Sequence, residues 1–240
     1  VYKRQAQGTA IVKIFDLSAA STGASEKTLK QNQTPYLVSH THSDSHATYY
    51  PGAELVSIKL IFAPGDGKLL GTQIIGRSGV DKRIDVLATA IRAGMTVFDL
   101  EALELAYAPP FSSAKDPVNI AGFVAANMIK GDLAIASWNE LESQDSNHDV
   151  LIDVRDKSEL DEHGTIEGAL HIPVNELRQA LSQLDGSKLY AVFCSVGMRA
   201  YVAHRIMVQN GFRSHSLNGV FAKTVNQNPE ARLHIQQKSS

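Results

Sequence analysis

Cysteine is almost absent from this chain, which has one thiol, Cys194, in 240 residues. An internal disulfide is therefore excluded, and such scarcity fits a reducing compartment, so a cytoplasmic location is the expectation. No apolar run reaches the roughly eighteen residues that a membrane-spanning helix needs. The opening residues also lack the apolar stretch and cleavage site of a secretory signal. Basic residues do not outnumber acidic ones, 23 against 25, and no basic tract occurs. Neither nucleic acid nor a membrane is expected as a partner. Nowhere does a Gly-x-Gly-x-x-Gly open a strand-to-helix unit, which excludes a dinucleotide-binding fold of that kind. Repeats and low-complexity tracts are missing too; Ser18 to Ser25 reads only as a small, polar stretch. What remains, 43% hydrophobic residues, suffices for ordinary cores in two domains.

The one cysteine has an informative address. It begins Cys194-Ser195-Val196-Gly197-Met198-Arg199, between the strand-like Leu189-Tyr190-Ala191-Val192-Phe193 and a helical pattern over Ala200 to Gln209. At such a turn the helix's unpaired N–H groups and dipole favour an anion, and that environment makes a thiolate available near neutral pH. Gly197 permits a tight turn, and Arg199 adds a fixed positive charge beside the sulfur. The bland alternative is a small buried hydrophobe chosen for packing.

The neighbouring motifs weigh against the bland alternative. Leu151-Ile152-Asp153-Val154-Arg155, Gly164-Thr165-Ile166-Glu167-Gly168-Ala169, Ile172-Pro173 and the cysteine loop resemble a rhodanese domain in order and spacing. Four residues separate Cys194 from Arg199, the loop size of rhodanese-like sulfurtransferases; related phosphatases of the cell-cycle type have one more. The resemblance implies that Cys194 takes up a sulfane sulfur as a persulfide and passes it on. Ser195, Val196, Gly197 and Met198 would form the substrate cradle, with Arg199 alongside. Asp153 and Arg155 would anchor the strand end. The family often has His where this chain has Thr165, so the polar contact at that turn is expected to differ.

Ahead of this lies a different unit. Ala10 to Phe15 reads as a strand, as do Glu54 to Ala63 and Lys68 to Gly76, the latter two joined by the turn Pro64-Gly65-Asp66-Gly67. Helical spacing marks Lys82 to Ala93, stopped by Gly94; Phe98 to Ala106, halted by Pro109-Pro110; and Val118 to Ile129, started by Asp116-Pro117. The boundary falls at Lys130-Gly131-Asp132, giving domains at 1–131 and 132–240. The chain opens on Val1 rather than Met, and Val1 to Gln5 resembles a translated adapter, so a chain cut from a larger parent is the expectation.

The first unit resembles the C-terminal dimerisation domain of the pyridine-nucleotide disulfide oxidoreductases. The matching residues are Gly8 to Lys13, Tyr49-Tyr50-Pro51-Gly52, Lys68-Leu69-Leu70-Gly71, Asp99-Leu100 and Tyr107-Ala108-Pro109-Pro110-Phe111. It is most similar to the single-cysteine branch of coenzyme A-disulfide reductases, NADH oxidases and persulfide reductases, since a tyrosine stands where the glutathione-reductase branch carries a His-Pro pair. The resemblance implies catalytic roles for Tyr107 and Tyr49 beside a reacting sulfur, with Tyr50 adjacent. It also implies FAD and NAD(P)H in the parent, though none bound by these residues alone, and a low-molecular-weight thiol or persulfide, coenzyme A or similar, as partner. A homodimer through residues 8–131 is expected. Ile14, Phe15, Leu60, Phe62, Ile74, Phe98 and Leu105 are more large apolar side chains than so small a unit needs for packing alone.

The remaining cluster, Ser39-His40-Thr41-His42-Ser43-Asp44-Ser45-His46, looks like the His-x-His-x-Asp-His zinc motif of metallo-β-lactamase hydrolases, some of which join a rhodanese as persulfide dioxygenases. An extra serine between Asp44 and His46 changes which side chains share a face, and the unit is too short for the β-sandwich body of such an enzyme. A solvated loop leading into Tyr49 is the preferred reading, with no metal. The expected architecture is thus α/β: an α+β oxidoreductase dimerisation domain followed by a rhodanese-like domain. A rival from another class is a non-catalytic rhodanese-like binding and dimerisation module.

Overall fold

Strand and helix alternate differently in the two halves of the chain. A computed structural model describes residues 6–137 and 149–217, so the opening Val1 to Gln5 lies outside the described residues. The chain separates into two compact units, Val1–Lys130 and Gly131–Ser240.

In the first unit, β1 (Ala10–Ile14) and β2 (Leu17–Gly23) form a hairpin whose two-residue turn holds Phe15 at φ 55°. Helix α1 (Glu26–Gln31), capped by Ser25, leads to β3 (Leu37–Asp44), β4 (Leu55–Phe62) and β5 (Leu69–Gly76). The sheet runs β1-β2-β5-β4-β3, antiparallel throughout. Helices α2 (Val80–Ala93), α3 (Val97–Ala102) and α4 (Pro117–Ile129) supply the other side of the core. Ile58, Leu60, Phe62 and Ile74 from the strands meet Ile84, Leu87, Leu100 and Val118 from the helices there. The caps follow the sequence signals: Asp116 caps α4 with Pro117 in its first turn, and Gly94 closes α2 in the left-handed region.

Three segments differ from expectation for physical reasons. Ser18 to Ser25 contains a strand, because small side chains let the inner strand β2 lie close beneath α2. The histidine cluster is not a loop up to Asp44: it is β3, whose buried positions are Ser39 and Thr41, with Leu37 also packed against the core. Helix α3 ends at Ala102, four residues early, where the Asn119 side-chain amide donates to the carbonyls of Leu100 (3.0 Å) and Leu103 (2.9 Å). The expected surplus of apolar groups is also redistributed. Leu60, Phe62 and Ile74 are core, and Phe98 and Leu105 pack against it, whereas Ile14 and Phe15 stay exposed together with Val12, Leu17 and Ile75.

The second unit is a parallel sheet, β6-β10-β9-β7-β8. Its elements are β6 (Ile135–Ala136), β7 (Val150–Asp153), α5 (Lys157–His163), β8 (Leu170–His171), α6 (Leu177–Ala180), a 3-10 turn (Leu181–Gln183), β9 (Leu189–Phe193), α7 (Met198–Gln209) and β10 (Arg213–Leu217). A central parallel strand is buried on both faces, which is why β9 reads as an unbroken apolar run. Val192 and Tyr190 pack toward Ala200, Ala203 and Met207 of α7, while Ala191 and Phe193 join Leu217 on the opposite face. Among the described residues no helix is long and apolar enough to cross a membrane.

Candidate functional site

Strand β9 delivers Cys194 directly into the turn that starts α7. The thiol is buried, and its Sγ accepts hydrogen bonds from the backbone N–H groups of Gly197 (3.1 Å) and Ala200 (3.4 Å). The sulfur therefore stands where a side-chain oxygen usually caps a helix, satisfying donors that α7 leaves open. Gly197 sits at φ 107°, a conformation that L side chains rarely adopt. Space is not the reason for glycine, since an added Cβ would meet nothing within 4 Å. Val196 and Met198 are exposed on the rim.

Arg199 is not simply a charge beside the sulfur, as the sequence suggested. Its guanidinium pairs with both oxygens of Glu159 on α5, one at 2.8 Å, and reaches Asp156 at 3.2 Å and the Ser195 hydroxyl at 3.3 Å. Ser195 in turn donates to Glu159 at 2.6 Å. The hydrogen bond from Arg199, helped by that from Ser195 and opposed by burial, holds the Glu159 carboxyl at about 2. Glu159 likewise raises the pKa of Arg199. Sequence reasoning missed Glu159 and Asp156. Their signal was the Asp-x-x-Glu spacing that starts a helix, and the Glu159 carboxylate does accept from the Asp156 N–H.

Beneath the loop lies a buried ion pair. Arg155 donates to both carboxylate oxygens of Asp153, at 2.6 Å and 3.0 Å for the shortest bonds, and to the Gly164 carbonyl at 2.7 Å. Thr165 fills the contact that its departure from the family pattern left open: its hydroxyl donates to Asp153 at 2.7 Å. The guanidinium of Arg155 also lies 5.9 Å from the ring centre of Phe193, the residue before Cys194. The pair thus anchors the strand end and the base of the loop.

The tyrosines belong to the other unit. Tyr49 and Tyr107 are 58 positions apart, yet their hydroxyls share a hydrogen bond of 3.1 Å while both rings stay exposed. That bond, with some desolvation, raises the pKa of Tyr49. Tyr50 instead turns its ring edge toward the buried His46, 5.9 Å away. The histidines are dispersed: His42 bonds Ser57 (2.8 Å), and His46 bonds Ser45 (3.1 Å) and the Pro51 carbonyl (3.2 Å). Among the described residues there is no group of three or more His, Cys, Asp or Glu that could hold a metal.

An antiparallel sheet with helices is followed along the chain by a parallel sheet that presents a cysteine at a helix start. Residues 9–117 match the pyridine nucleotide-disulphide oxidoreductase dimerisation domain, and residues 137–226 match the rhodanese-like domain. The chain carries these two domains in that order. The first half is 40% identical over 121 residues to a coenzyme A disulfide reductase of Staphylococcus haemolyticus, covering 50% of this chain and 27% of that protein. A Staphylococcus aureus coenzyme A disulfide reductase is 39% identical over 118 residues, covering 49% and 26%. Among solved structures, reduced Bacillus anthracis CoADR-RHD superposes with a TM-score of 0.89 at 46% identity, covering 94% of this chain and 40% of that one. A NAD-dependent persulfide reductase from A. fulgidus gives 0.82 at 39% identity, covering 90% and 39%. These homologues are oxidoreductases, and the chain spans well under half the length of each.

Proposed function

We propose that the chain is the C-terminal dimerisation and rhodanese part of a cytoplasmic FAD-dependent coenzyme A-disulfide or persulfide reductase that uses NAD(P)H, and that Cys194 carries sulfane sulfur within it. The observation that supports this most is Cys194 Sγ accepting two backbone amides at the start of α7, in a loop that keeps both Gly197 and Arg199. A thiolate there attacks the outer sulfur of a persulfide, RSS⁻. The S–S bond breaks, RS⁻ leaves, and Cys194 becomes CysSS⁻. A second thiolate then takes the outer sulfur and restores the cysteine. The amides from Ser195 to Arg199 stabilise the negative sulfur, and Val196 and Met198 offer the rim to the organic part of the donor.

In the first unit Tyr107 donates to a leaving thiolate and Tyr49 orients its hydroxyl. The partner is a low-molecular-weight thiol or persulfide such as coenzyme A, and residues 8–131 form the homodimer contact. Neither FAD nor NAD(P)H is assigned to the described residues. The first sheet is antiparallel, and the two strand-to-helix turns at the cysteine site are filled by Asp153 to Asp156 and by the cysteine loop itself. Both cofactors are assigned to other segments of the parent protein.

The rival reading, a non-catalytic rhodanese-like binding and dimerisation module, draws on the burial of Cys194, which is 2% exposed. Sulfur release from thiosulfate or an organic persulfide, compared between the chain and Cys194→Ser, separates the two. Release that depends on Cys194 supports the transfer reading; no release, or equal release from both, supports the module.

A further inference from the structure

One buried charge pair in the first unit faces neither sulfur chemistry nor solvent. Arg83 on α2 and Asp116 at the start of α4 are almost fully enclosed, joined by hydrogen bonds of 2.9 Å and 3.3 Å, with Lys82 also 3.7 Å from Asp116. The other guanidinium bonds go to backbone carbonyls, Ser45 at 2.7 Å and Gly79 at 3.1 Å. A Cβ at Gly79 would lie 1.9 Å from Arg83 Nη1, so glycine is what lets the guanidinium reach this position. The carboxylate accepts from the Ser112 hydroxyl at 2.7 Å and the Val118 N–H at 3.0 Å.

Two loops hang from this pair. The one starting at Ser45 carries Tyr49, and the one ending at Ser112 carries Tyr107. They are joined directly where the Ala47 N–H donates to the Ser112 carbonyl at 3.2 Å. Each is braced internally: His46 spans Ser45 and Pro51, and the N–H groups of Phe111 and Ser112 both donate to the Ala108 carbonyl. The tyrosine rings are 75% and 50% exposed, so packing against a core does not hold them. Their hydroxyls meet because the loops are held.

We propose that Arg83 and Asp116 are positioning residues for the Tyr49–Tyr107 hydroxyl pair, acting through the Ser45 carbonyl and the Ser112 hydroxyl. The inference rests on the reading of that tyrosine pair as part of the reductase site. A buried ion pair is often replaceable by apolar groups at little cost in stability, so stability alone does not account for donors aimed at two separate loops. The Ser112 hydroxyl is the informative link, since among the described residues its one hydrogen bond joins the second loop to the pair.

The test reads geometry rather than turnover. In the full chain labelled with ring-carbon tyrosine, NMR follows each phenol against pH, with Tyr49→Phe and Tyr107→Phe giving the assignments. Tyr49 should titrate above the ordinary tyrosine value of about 10 and fall toward it in Tyr107→Phe. Arg83→Met and Ser112→Ala should each cause the same loss at Tyr49. Tyr36 and Tyr190, raised by burial elsewhere, should keep their raised values and so report that both units remain folded. If Arg83→Met does not fold, Ser112→Ala decides alone, because it removes one hydroxyl and leaves the ion pair. A folded variant in which Tyr49 keeps its elevation overturns the proposal. Failure of the underlying reading shows separately, as unchanged disulfide or persulfide reduction by a full-length parent enzyme carrying Tyr107→Phe.

Discussion

The carboxylate of Glu159 grips the guanidinium of Arg199 through both oxygens and also receives the Ser195 hydroxyl, so helix α5 holds the cysteine loop from the side. Glu159→Gln keeps the size of the side chain but removes its charge. Sulfur transfer should fall about tenfold, equivalent to about 1.4 kcal/mol in barrier, because Arg199 and Ser195 lose their shared anchor. Steady-state rates of the two proteins measure this.

The same carboxyl predicts an acid dependence. Its pKa is depressed from 4.5 to about 2, so its contribution to stability is full above about pH 4.5 and is lost as pH falls toward 2. Because the group is partly exposed, the gain is about 1 kcal/mol. Urea midpoints of the wild type and Glu159→Gln should differ at pH 7, draw together below about pH 4.5, and converge only as pH falls through about 2.

Removing one partner of the enclosed Asp153–Arg155 pair leaves an unpaired buried charge. Arg155→Met should destabilise the second unit by about 3–5 kcal/mol, while Thr165→Val costs about 1 kcal/mol. Hydrogen exchange at β7 and β9 should accelerate in both variants, with exchange in β4 and β5 unchanged. Equal loss of protection in both sheets would contradict the assignment of this pair to one unit.

Gly122 illustrates two opposed effects. An added Cβ would lie 2.7 Å from Leu100 Cβ and 2.8 Å from the Glu101 backbone nitrogen. Alanine gains about 1 kcal/mol of helix propensity in α4 but costs about 1–3 kcal/mol in overpacking. Since backbone atoms cannot swing aside, overpacking wins, and Gly122→Ala should lower the melting temperature of the first unit.

Assembly gives a further outcome. Sedimentation of residues 8–131 and 132–240 as separate pieces should show a dimer for the first and a monomer for the second. A dimeric second piece beside a monomeric first would reverse the assignment.

Much of this was legible in the chain because the signals were local. The apolar run of β9, the Asp116-Pro117 start of α4 and the Gly94 stop each depend on neighbours within one turn. Strands β2 and β3 were not legible, because their buried faces carry Ala20, Thr22, Ser39 and Thr41, too small or polar to mark a strand. The cysteine loop could be read from Cys194 to Arg199, but its clamp could not. Glu159 acts across 40 positions, and no spacing rule connects a helix-start glutamate to a distant arginine. The Tyr49–Tyr107 contact is of the same kind: motif resemblance named both residues, and only the folded loops bring the hydroxyls together.

The central claim is that Cys194 takes up a sulfur atom. Intact-mass and peptide analysis of the chain after exposure to an organic persulfide, then to excess thiol, tests it most directly. The account predicts the gain of one sulfur atom at Cys194, its loss on adding thiol, and no gain in Cys194→Ser. A folded chain that stays unmodified, or one that gains sulfur equally in the serine variant, would contradict it.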